Sequence, residues 1–540
     1  MTVIATLSLA MTRHYEAISP KECLWHSRSN PQSIDCFTIV RNDEKTWSLR
    51  ALPTAHRVSE VIYLIKIYGG FSMKLLKWLI MIILSMILII SCKSIYGFDQ
   101  DEASDGGSSG GGGGTITNED GKVFPAWYLT EEQQQKSYFQ GPTIVFDSRG
   151  GTTDPQIYHI PAIIVADNGN IIAFGDDRHR TGRDVGSKTG PIDIVYKISK
   201  DGGKTWSEQK TILPASQNDV MTGIENKGDV SVFKCQSGKL VALAVSGGGW
   251  INGKNANTPS RMVMSKSMDN GETWTAWKEV GQTSVFSKMK SMSPSVNRAF
   301  ASSGRGTTLK NGRLATAMLG DNGSLIVFYL YSDDEGETWN IYDNMGVAKG
   351  DYSLSEPKIV GELDDGGLLM SVRNGQSKVN QEGQPRMYGY STDSGINWGT
   401  FNSPSSGKLG IWNTRMKCGN VNGEGIVYTR QGEHDKTRIL QLLTGPNFRR
   451  GMNFWLSEDN GRTFRNTFQV IDTSAYAGKY NSGYTSLDVC GDGTIVTLCE
   501  EYNESNTKLG DSDYDLVFRR YNMKALMGEV YKTEWYKEIK

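Results

Sequence analysis

The sequence predicts an all-β fold, a six-bladed β-propeller with four-stranded antiparallel blades, from two series of repeated turns. The first series is the pattern Ser-x-Asp-x-Gly-x-Thr-Trp, called here the Asp box, which occurs five times with small variations. We expect each box to form a hairpin turn in which the carboxylate accepts backbone N–H bonds, glycine supplies positive φ and the final aromatic packs beneath. The box aspartates, spaced by 68, 65, 59 and 66 residues, are Asp201, Asp269, Asp334, Asp393 and Asp459.

The second series sets the number of blades. Polar turns ending in glycine, each followed closely by an apolar strand, occur six times, and the first five precede a box aspartate by 22 to 34 residues. Each repeat therefore holds two hairpin turns and about four strands, the content of a propeller blade. The last repeat lacks a box. The six turn glycines are Gly169, Gly238, Gly312, Gly367, Gly425 and Gly493.

Composition excludes several classes of protein. The formal net charge is −1, so there is no electrostatic footprint for nucleic acid. Only four cysteines follow Cys92, without CxxC spacing, and the six histidines are scattered, so we expect no metal and no cofactor. A disulfide between Cys490 and Cys499 is left open.

The N-terminal region divides into three segments before the propeller, which we place at residues 122–540. Residues 1–72 have no sustained periodicity and are interpreted as a non-native upstream extension. Residues 73–92 have the form of a bacterial lipoprotein signal, a basic start, an apolar run and then Ser91-Cys92. An uncleaved membrane helix is the alternative, although the apolar run is short for a span. Residues 93–121 are acidic and glycine-rich and predict a flexible tether.

These segments predict an exported protein, held at the bacterial cell envelope or surface by an N-terminal lipid. Either interpretation of residues 73–92 places the propeller outside the cytoplasm. Nothing in the sequence indicates an oligomer, and we expect a monomer.

A charged loop follows the first predicted strands and marks a site. Tyr158-His159-Ile160-Pro161 is followed 19 residues after His159 by Arg178, and six residues later by Asp184. A charged loop that leaves an apolar strand is a common position for a functional site. From about residue 141 to the C-terminus, the Asp boxes, the Tyr-His-Ile-Pro element and the Arg-x5-Asp loop together resemble bacterial exo-sialidases.

The resemblance implies a catalytic set drawn from different repeats. Asp184 matches the acid/base carboxylate that protonates the leaving oxygen and later activates water. Tyr484, in Gly-Tyr-Thr-Ser-Leu, matches the catalytic tyrosine, and Glu356, in Ser-Glu-Pro-Lys, matches the glutamate that polarises it.

The same resemblance implies residues that bind the sugar. Arg178, Arg373 and Arg449 match substrate-binding arginines, with Arg450 as the alternative to Arg449. Asp229, in Gly-Asp-Val-Ser-Val, resembles the residue that lines the pocket for the amide-bearing substituent. The implied partners are sialylated glycans.

The chemistry of a sialoside explains this set of residue types. Its anomeric carbon carries a carboxylate, which repels an anionic nucleophile but not a neutral tyrosine activated by a glutamate. Guanidinium groups bind a carboxylate bidentately, and clustered cations are expected to lower the pKa of the phenol. Two displacements through a tyrosyl intermediate retain the anomeric configuration.

One position departs from the family pattern. His159 stands where the family has the first arginine of its triad, and imidazole neither makes two parallel bonds nor stays charged at all pH values. The leading prediction is an exo-α-sialidase. The alternatives are a hydrolase of another 2-keto sugar acid and a glycan-binding propeller that has lost catalysis.

Overall fold

The computed structural model describes the chain in two compact units, residues 1–109 and 110–540. The described residues are 37–41, 47–51, 114–117, 121–148, 156–179, 184–186, 192–213, 226–342, 354–375, 383–419, 421–445, 449–474, 481–502 and 514–531. In the first unit, the strand Phe37–Arg41 pairs antiparallel with Trp47–Ala51. The predicted lipoprotein signal and most of the predicted tether lie outside the described residues.

The second unit is all-β, as predicted. Its few helices are short, and within the described ranges none has the length and apolar character needed to span a membrane. A small hairpin pairs Thr115–Thr117 with Val123–Pro125. The helical segments are Glu131–Gln134, Gly249–Asn252, the π-helix Gln282–Ser287, Lys288–Met292 and Met523–Met527.

Antiparallel sheets follow one another along the chain, and we number them by their order. The first contains Tyr158–Val165, Ile171–Arg178, Ile192–Ser199 and Lys210–Thr211. The second contains Gly228–Lys234, Leu240–Gly247, Ser260–Ser267 and Lys278–Val280. The third contains Arg298–Ala301, Thr307–Thr308, Leu314–Asp321, Leu325–Ser332 and Asn340–Ile341.

The C-terminal half continues the series. The fourth sheet contains Leu354–Glu362, Leu368–Asn374 and Met387–Ser391, and beside it Gln384–Pro385 pairs with Lys417–Cys418. The fifth contains Glu424–Thr429, Arg438–Thr444, Met452–Ser457 and Arg465–Ile471. The sixth contains Ser482–Val489, Ile495–Tyr502, Tyr514–Tyr521 and Phe139–Phe146. A single pair, Tyr514 opposite Tyr158, joins it to the first sheet, so these two sheets form one continuous eight-stranded sheet.

Two features of these sheets depart from uniform four-stranded antiparallel units. The fourth sheet has three regular strands among the described residues. The short strand Gly304–Arg305 pairs parallel with Gly228–Lys234 of the second sheet. The sixth sheet joins the two ends of the second unit, because Phe139–Phe146 pairs with Tyr514–Tyr521. The N-terminal strand Phe139–Phe146 thus completes the last sheet.

Each Asp box has the predicted turn chemistry. In the third box the Asp334 carboxylate accepts bonds from the Thr338 backbone N–H at 2.8 Å and the Thr338 hydroxyl at 2.6 Å, while Gly336 has a φ of 86°. The Ser332 hydroxyl donates to Asp334 at 2.8 Å and accepts from the Gly336 N–H at 2.8 Å. The other four boxes repeat these bonds, with Asn397 replacing the threonine in the fourth.

The aromatic residue that ends each box packs against the preceding sheet. Centroid distances between the paired rings are 5.2 to 5.8 Å. The first sheet follows the same rule by packing its box aromatic on the sixth sheet. Aromatic contacts of this kind add to the burial that holds neighbouring sheets together. The pairs are Trp206 with Phe518, Trp274 with Phe174, Trp339 with Phe233, Trp398 with Tyr329, and Phe464 with Tyr388.

Gly425 does not end a hairpin turn, contrary to the prediction. It is buried inside the strand Glu424–Thr429, and the turn of that sheet contains Gly432, whose φ is 97°. A Cβ at Gly425 would lie 2.4 Å from the Gln441 amide nitrogen, so glycine is needed there for close packing. A glycine selected for close approach looks the same in the sequence as one selected for a turn.

The disulfide left open by the sequence is not formed. Cys490 and Cys499 are both buried free thiols. In the hairpin of the sixth sheet, Cys499 stands opposite Thr485, whereas Cys490 lies in the turn beyond the last paired residues. The two cysteines are therefore out of register with each other.

Candidate active site

Four candidate residues lie at or within irregularities in the first strands of their sheets. The pairing register shifts between His159 and Ala162, between Gly228 and Ser231, between Leu354 and Pro357, and between Ser482 and Thr485. A β-bulge bends a strand locally and redirects a side chain, and such bulges are frequent beside active sites. The residues concerned are His159, Asp229, Glu356 and Tyr484.

Three positions around these bulges adopt left-handed backbone without being glycine. Ile160 has a φ of 54°, Asp229 of 53° and Arg449 of 51°. The other non-glycine residues with positive φ among the described residues all belong to Asp-box turns. Left-handed backbone costs such residues about 1–3 kcal/mol each, and it persists where the surroundings enforce it. The strain outside the turns is therefore concentrated at the candidate site.

Tyr484, Glu356 and Arg373 form one hydrogen-bonded group. The Tyr484 hydroxyl donates to Glu356 Oε1 at 2.5 Å, and Arg373 Nη1 donates to Glu356 Oε2 at 2.5 Å. Arg373 Nη1 also lies 3.2 Å from the Tyr484 hydroxyl oxygen. Glu356 therefore accepts from both partners, one through each carboxylate oxygen, and is placed to take the phenolic proton.

The phenol of Tyr484 is held in its neutral form. Burial and the adjacent Glu356 carboxylate raise its pKa well above the usual value, and they outweigh the opposing charges of Arg373 and Arg449. The two arginines do lower this pKa, as expected, but in the resting site their effect is the smaller one. For Arg373, burial disfavours the charged form, but the charge of Glu356 keeps the pKa raised.

Arg449 lies over the tyrosine from the other side. Its guanidinium carbon is 5.8 Å from the centroid of the Tyr484 ring, a cation–π distance, and its backbone carbonyl accepts from the Ser482 N–H at 3.2 Å. The side chain also interacts with the Tyr514 hydroxyl, which contributes to a raised pKa against the cost of burial. Of the two arginines left open by the sequence, Arg449 has its guanidinium group over the ring of Tyr484.

Asp184 is tied to the first sheet by Arg178. Arg178 Nη1 donates to Asp184 Oδ1 at 2.7 Å, and Arg178 Nη2 donates to Asp176 Oδ2 at 3.2 Å. The Arg178 side chain is 5% exposed and that of Asp184 is 57% exposed. The candidate acid is therefore held by a buried cation while its carboxyl group remains open to a substrate.

Asp176 connects Asp229 to this group. The Asp229 backbone N–H lies 3.1 Å from Asp176 Oδ1. Burial raises the pKa of Asp176 to about 7 even though Arg178 opposes it, and burial together with the charge of Asp176 raises the pKa of Asp229 well above its usual value. Two carboxyl groups in one buried place cannot both ionise freely, so this part of the site retains a proton into the neutral range.

Glu500 joins the two halves of the site. Its Oε1 accepts from the Ile160 N–H at 2.9 Å and lies 3.1 Å from His159 Nδ1, while its Oε2 accepts from the Tyr484 N–H at 2.9 Å. Burial alone would raise its pKa, but the His159 bond and charge, the Arg449 charge and the Ile160 N–H bond lower it to about 2. The buried Glu500 carboxylate therefore holds both the bulge that contains His159 and the strand that carries Tyr484.

Sequence reasoning missed Asp176 and Glu500. Both end apolar strands at the edge where Arg178 and Arg373 also lie, in Asp176-Asp177-Arg178 and in Glu500-Glu501. The available signal was the change from an apolar strand to adjacent charges. In a sequence, such charges are equally typical of the solvent-exposed end of a strand.

The structure thus gathers the sequence-predicted residues into two hydrogen-bonded groups, one around Tyr484 and one around Arg178. The two groups are linked by the strand pairing of His159 with Asp176 and by the electrostatic interaction of Asp229 with Glu356. Two further tryptophans pack within the fold. Trp412 stacks on Tyr388 at 5.1 Å, and Trp250 packs edge-on against Phe300 at 5.3 Å. Across the described ranges, no group of three or more His, Cys, Asp or Glu side chains is arranged to hold a metal ion.

Comparison with known proteins finds similarity to sialidases. It is 28% identical over 261 residues to a sialidase of Paraclostridium sordellii, which covers 47% of this chain and 59% of the relative. It is 29% identical over 294 residues to a sialidase of Clostridium perfringens, which covers 52% of this chain and 70% of that protein. The chain thus spans about three fifths of the length of the first relative.

A structural comparison agrees in fold. The Hadza microbial sialidase Hz136 superposes with a TM-score of 0.53 at 20% identity, over 69% of this chain and 66% of that one. The family model described as a BNR repeat-like domain matches residues 181–497, more than half of the 540 residues. The chain therefore belongs to the BNR repeat-like domain family, and it is similar to bacterial sialidases.

Proposed function

We propose that the protein is an exo-α-sialidase, a retaining glycoside hydrolase that releases terminal sialic acid from glycoconjugates. The observation that carries the proposal is the group in which the Tyr484 hydroxyl donates to Glu356 at 2.5 Å while Arg373 contacts both. A neutral phenol beside a proton-accepting carboxylate is an activated nucleophile that a substrate carboxylate does not repel. The sialidase relatives support the same class of reaction.

In the first displacement, the Tyr484 oxygen attacks the anomeric carbon as Glu356 Oε1 accepts the phenolic proton. The bond from the anomeric carbon to the glycosidic oxygen breaks, and Asp184 donates its proton to that oxygen. The products are a sialosyl-tyrosine and a free aglycone. The raised pKa of Tyr484 makes the Glu356 contact essential, because the phenol does not ionise unaided.

In the second displacement, the Asp184 carboxylate accepts a proton from water as the water oxygen attacks the anomeric carbon. The bond to Tyr484 breaks, and the phenolate recovers its proton from Glu356. Two inversions give net retention. Both catalytic carboxyl groups return to their starting protonation states.

Arg373 and Arg449 are the proposed cradle for the sugar carboxylate, and His159 is its third side. Guanidinium groups hold carboxylates through paired charge-assisted bonds, whereas imidazole offers one such bond and only when protonated. We assign Arg178 to the sugar ring as well as to Asp184, and Asp229 to the amide-bearing substituent. The buried pair formed by Asp229 and Asp176 supports a polar pocket at that end of the site.

We also propose that the six sheets form a closed six-bladed ring. Each box aromatic packs on the preceding sheet, and Trp206 of the first sheet packs on Phe518 of the sixth. Tyr521 of the sixth sheet contacts Phe454 of the fifth at 5.4 Å. The first strands of the first and sixth sheets are also in contact, because the Ile163 N–H donates to the Ser486 hydroxyl at 3.1 Å. A closed propeller ring leaves only short, protected sheet edges.

We propose that the protein is exported, tethered through lipid on Cys92 and active as a monomer. The proposal rests on the basic start, apolar run and Ser91-Cys92 of residues 73–92. Mass spectrometry of the N-terminal peptide of the native protein tests it. A diacylglyceryl group on Cys92 supports the anchor, and an N-terminus upstream of residue 73 contradicts it.

Turnover of a fluorogenic sialoside by the purified protein between about pH 4 and 8 tests the function. Release of the fluorophore with retained configuration of the initial product supports the proposal. Absence of turnover at every pH, with glycan binding retained, favours a binding propeller that has lost catalysis. Turnover only of other 2-keto sugar acids in a substrate panel favours the second alternative, for which the His159 substitution is the motivation.

A further inference from the structure

The candidate acid, Asp184, sits on a short stretch of backbone that is supported from the second sheet. Its carboxyl group is 57% exposed and is tied to the first sheet by Arg178 at 2.7 Å. Val185, the next residue, is buried at 1% exposure, and Gly186 adopts a φ of 90°. The position of Asp184 therefore depends on what Val185 and Gly186 pack against.

Their packing partner is the turn and short helix at Gly247–Asn252. The Asn252 side-chain amide donates to the Gly186 carbonyl oxygen at 2.5 Å. A Cβ at Gly186 would lie 1.9 Å from the Gly248 carbonyl oxygen, and a Cβ at Gly249 would lie 2.4 Å from the Val185 carbonyl oxygen. The two backbones are thus in direct contact on both sides of the Asn252 bond, and glycine is what permits that contact.

The short helix is itself held firmly by the third sheet. Arg298 donates to the Trp250 carbonyl oxygen and covers the Trp250 ring, with its guanidinium carbon 3.9 Å from the centroid. Asp321 holds Arg298 at 2.9 Å and Lys254 at 3.0 Å. A cation stacked on an indole and paired with a largely buried carboxylate is a rigid support.

We propose that Asn252 is a positioning residue for the acid/base step, and that it acts through the Gly186 carbonyl to hold Asp184 at the glycosidic oxygen. The inference rests on the proposed sialidase function. Arg178 fixes one end of the Asp184 carboxylate, and the Asn252 bond fixes the backbone that carries it. Without that bond the Asp184 carboxyl group keeps its contact with Arg178 but is no longer directed toward the leaving oxygen.

The leaving group of the substrate distinguishes this role from a merely structural one. A sugar leaves as an alkoxide and needs the proton of Asp184, whereas an aryl group leaves as a stable phenolate and needs it far less. We therefore compare kcat/KM, which reports the first displacement, for a sialyl-disaccharide and for an aryl sialoside. The measurement uses the full chain and the Asn252→Ala and Asn252→Asp variants, the second of which keeps the side-chain volume but loses the donor.

The expected result is a loss of roughly tenfold to hundredfold in kcat/KM on the sialyl-disaccharide, with less than about a threefold loss on the aryl sialoside. The matched control is Asn255→Ala, an exposed asparagine in the same loop whose side chain bonds only within that loop, and it should change neither value. Thermal unfolding midpoints of all variants are measured in parallel.

Four outcomes overturn the proposal. Equal losses on both substrates would show a general effect on folding or binding, and unchanged kinetics in a folded Asn252→Asp protein would show that the bond has no part in positioning. Wild-type protein that cleaves neither substrate refutes the sialidase function and with it this inference. Wild-type turnover without a leaving-group effect in the variants refutes the inference alone.

Discussion

The effect of replacing Glu500 on the unfolding free energy is the prediction that can be worked out most quantitatively. It is fully buried and accepts bonds from the N–H groups of Ile160 and Tyr484 as well as contacting His159. Lowering its pKa from 4.5 to about 2 corresponds to about 3 kcal/mol of folding free energy. In Glu500→Gln the charge is lost and one amide N–H group faces a backbone N–H, so we expect a loss of about 3 kcal/mol near pH 7.

The lowered pKa of Glu500 also predicts how the stability of the protein changes with pH. A carboxyl group whose pKa is depressed by folding stabilises the protein fully above its unfolded value of 4.5. That contribution declines as the pH falls from 4.5 toward 2 and is gone below the folded pKa. The difference in unfolding free energy between wild type and Glu500→Gln should therefore shrink over this range, as measured by urea denaturation in a pH series.

A difference below about 1 kcal/mol near pH 7, or one that does not shrink on acidification, would refute the reasoning. The matched control is Glu132→Gln, which removes one carboxylate whose side chain is 87% exposed. Its effect on the unfolding free energy should stay below about 0.5 kcal/mol. A large effect of the control would mean that net charge, and not the Glu500 bonds, sets the acid stability.

Three further predictions follow from the same contacts. Tyr484→Phe should lower kcat at least about a thousandfold while changing the unfolding free energy by no more than about 1 kcal/mol, since Glu356 keeps its arginine; turnover of wild-type level contradicts the nucleophile. His159→Arg should lower KM above neutral pH and flatten its pH dependence, because guanidinium stays charged where imidazole does not, and unchanged kinetics remove His159 from carboxylate recognition. Trp339 is 1% exposed, so Trp339→Ala should lower the unfolding free energy by about 3–5 kcal/mol in urea denaturation. The matching substitution of the half-buried Trp206 should lower it clearly less. Equal losses would contradict the packing of the box aromatics between neighbouring sheets.

The features predicted well from the sequence are those whose causes are local. In each Asp box the bonding partners lie within four residues of one another, so the turn follows from the motif itself. The glycine at Gly425 was misread because the reason for it, the close approach of Gln441, is supplied by a neighbouring strand. A local pattern does not contain such a partner.

The candidate site shows the same difference between features with local causes and features that depend on a distant partner. Asp184, Glu356 and Tyr484 could be proposed from the sequence because each lies in a short motif that resembles a family element. Glu500 was missed because the bond that explains it joins it to Ile160, 340 residues away. The raised pKa of Tyr484 was also not predictable, since it depends on how burial and Glu356 balance against two arginines.

Trapping the covalent intermediate tests the central claim most directly. A sialosyl fluoride with a second fluorine beside the anomeric carbon slows the second displacement, so the sugar accumulates on the nucleophile. Peptide mass mapping of the inactivated protein should find the sialosyl group on Tyr484. A sugar attached to Glu356 or Asp184, or full turnover of this reagent by Tyr484→Phe, would contradict the account.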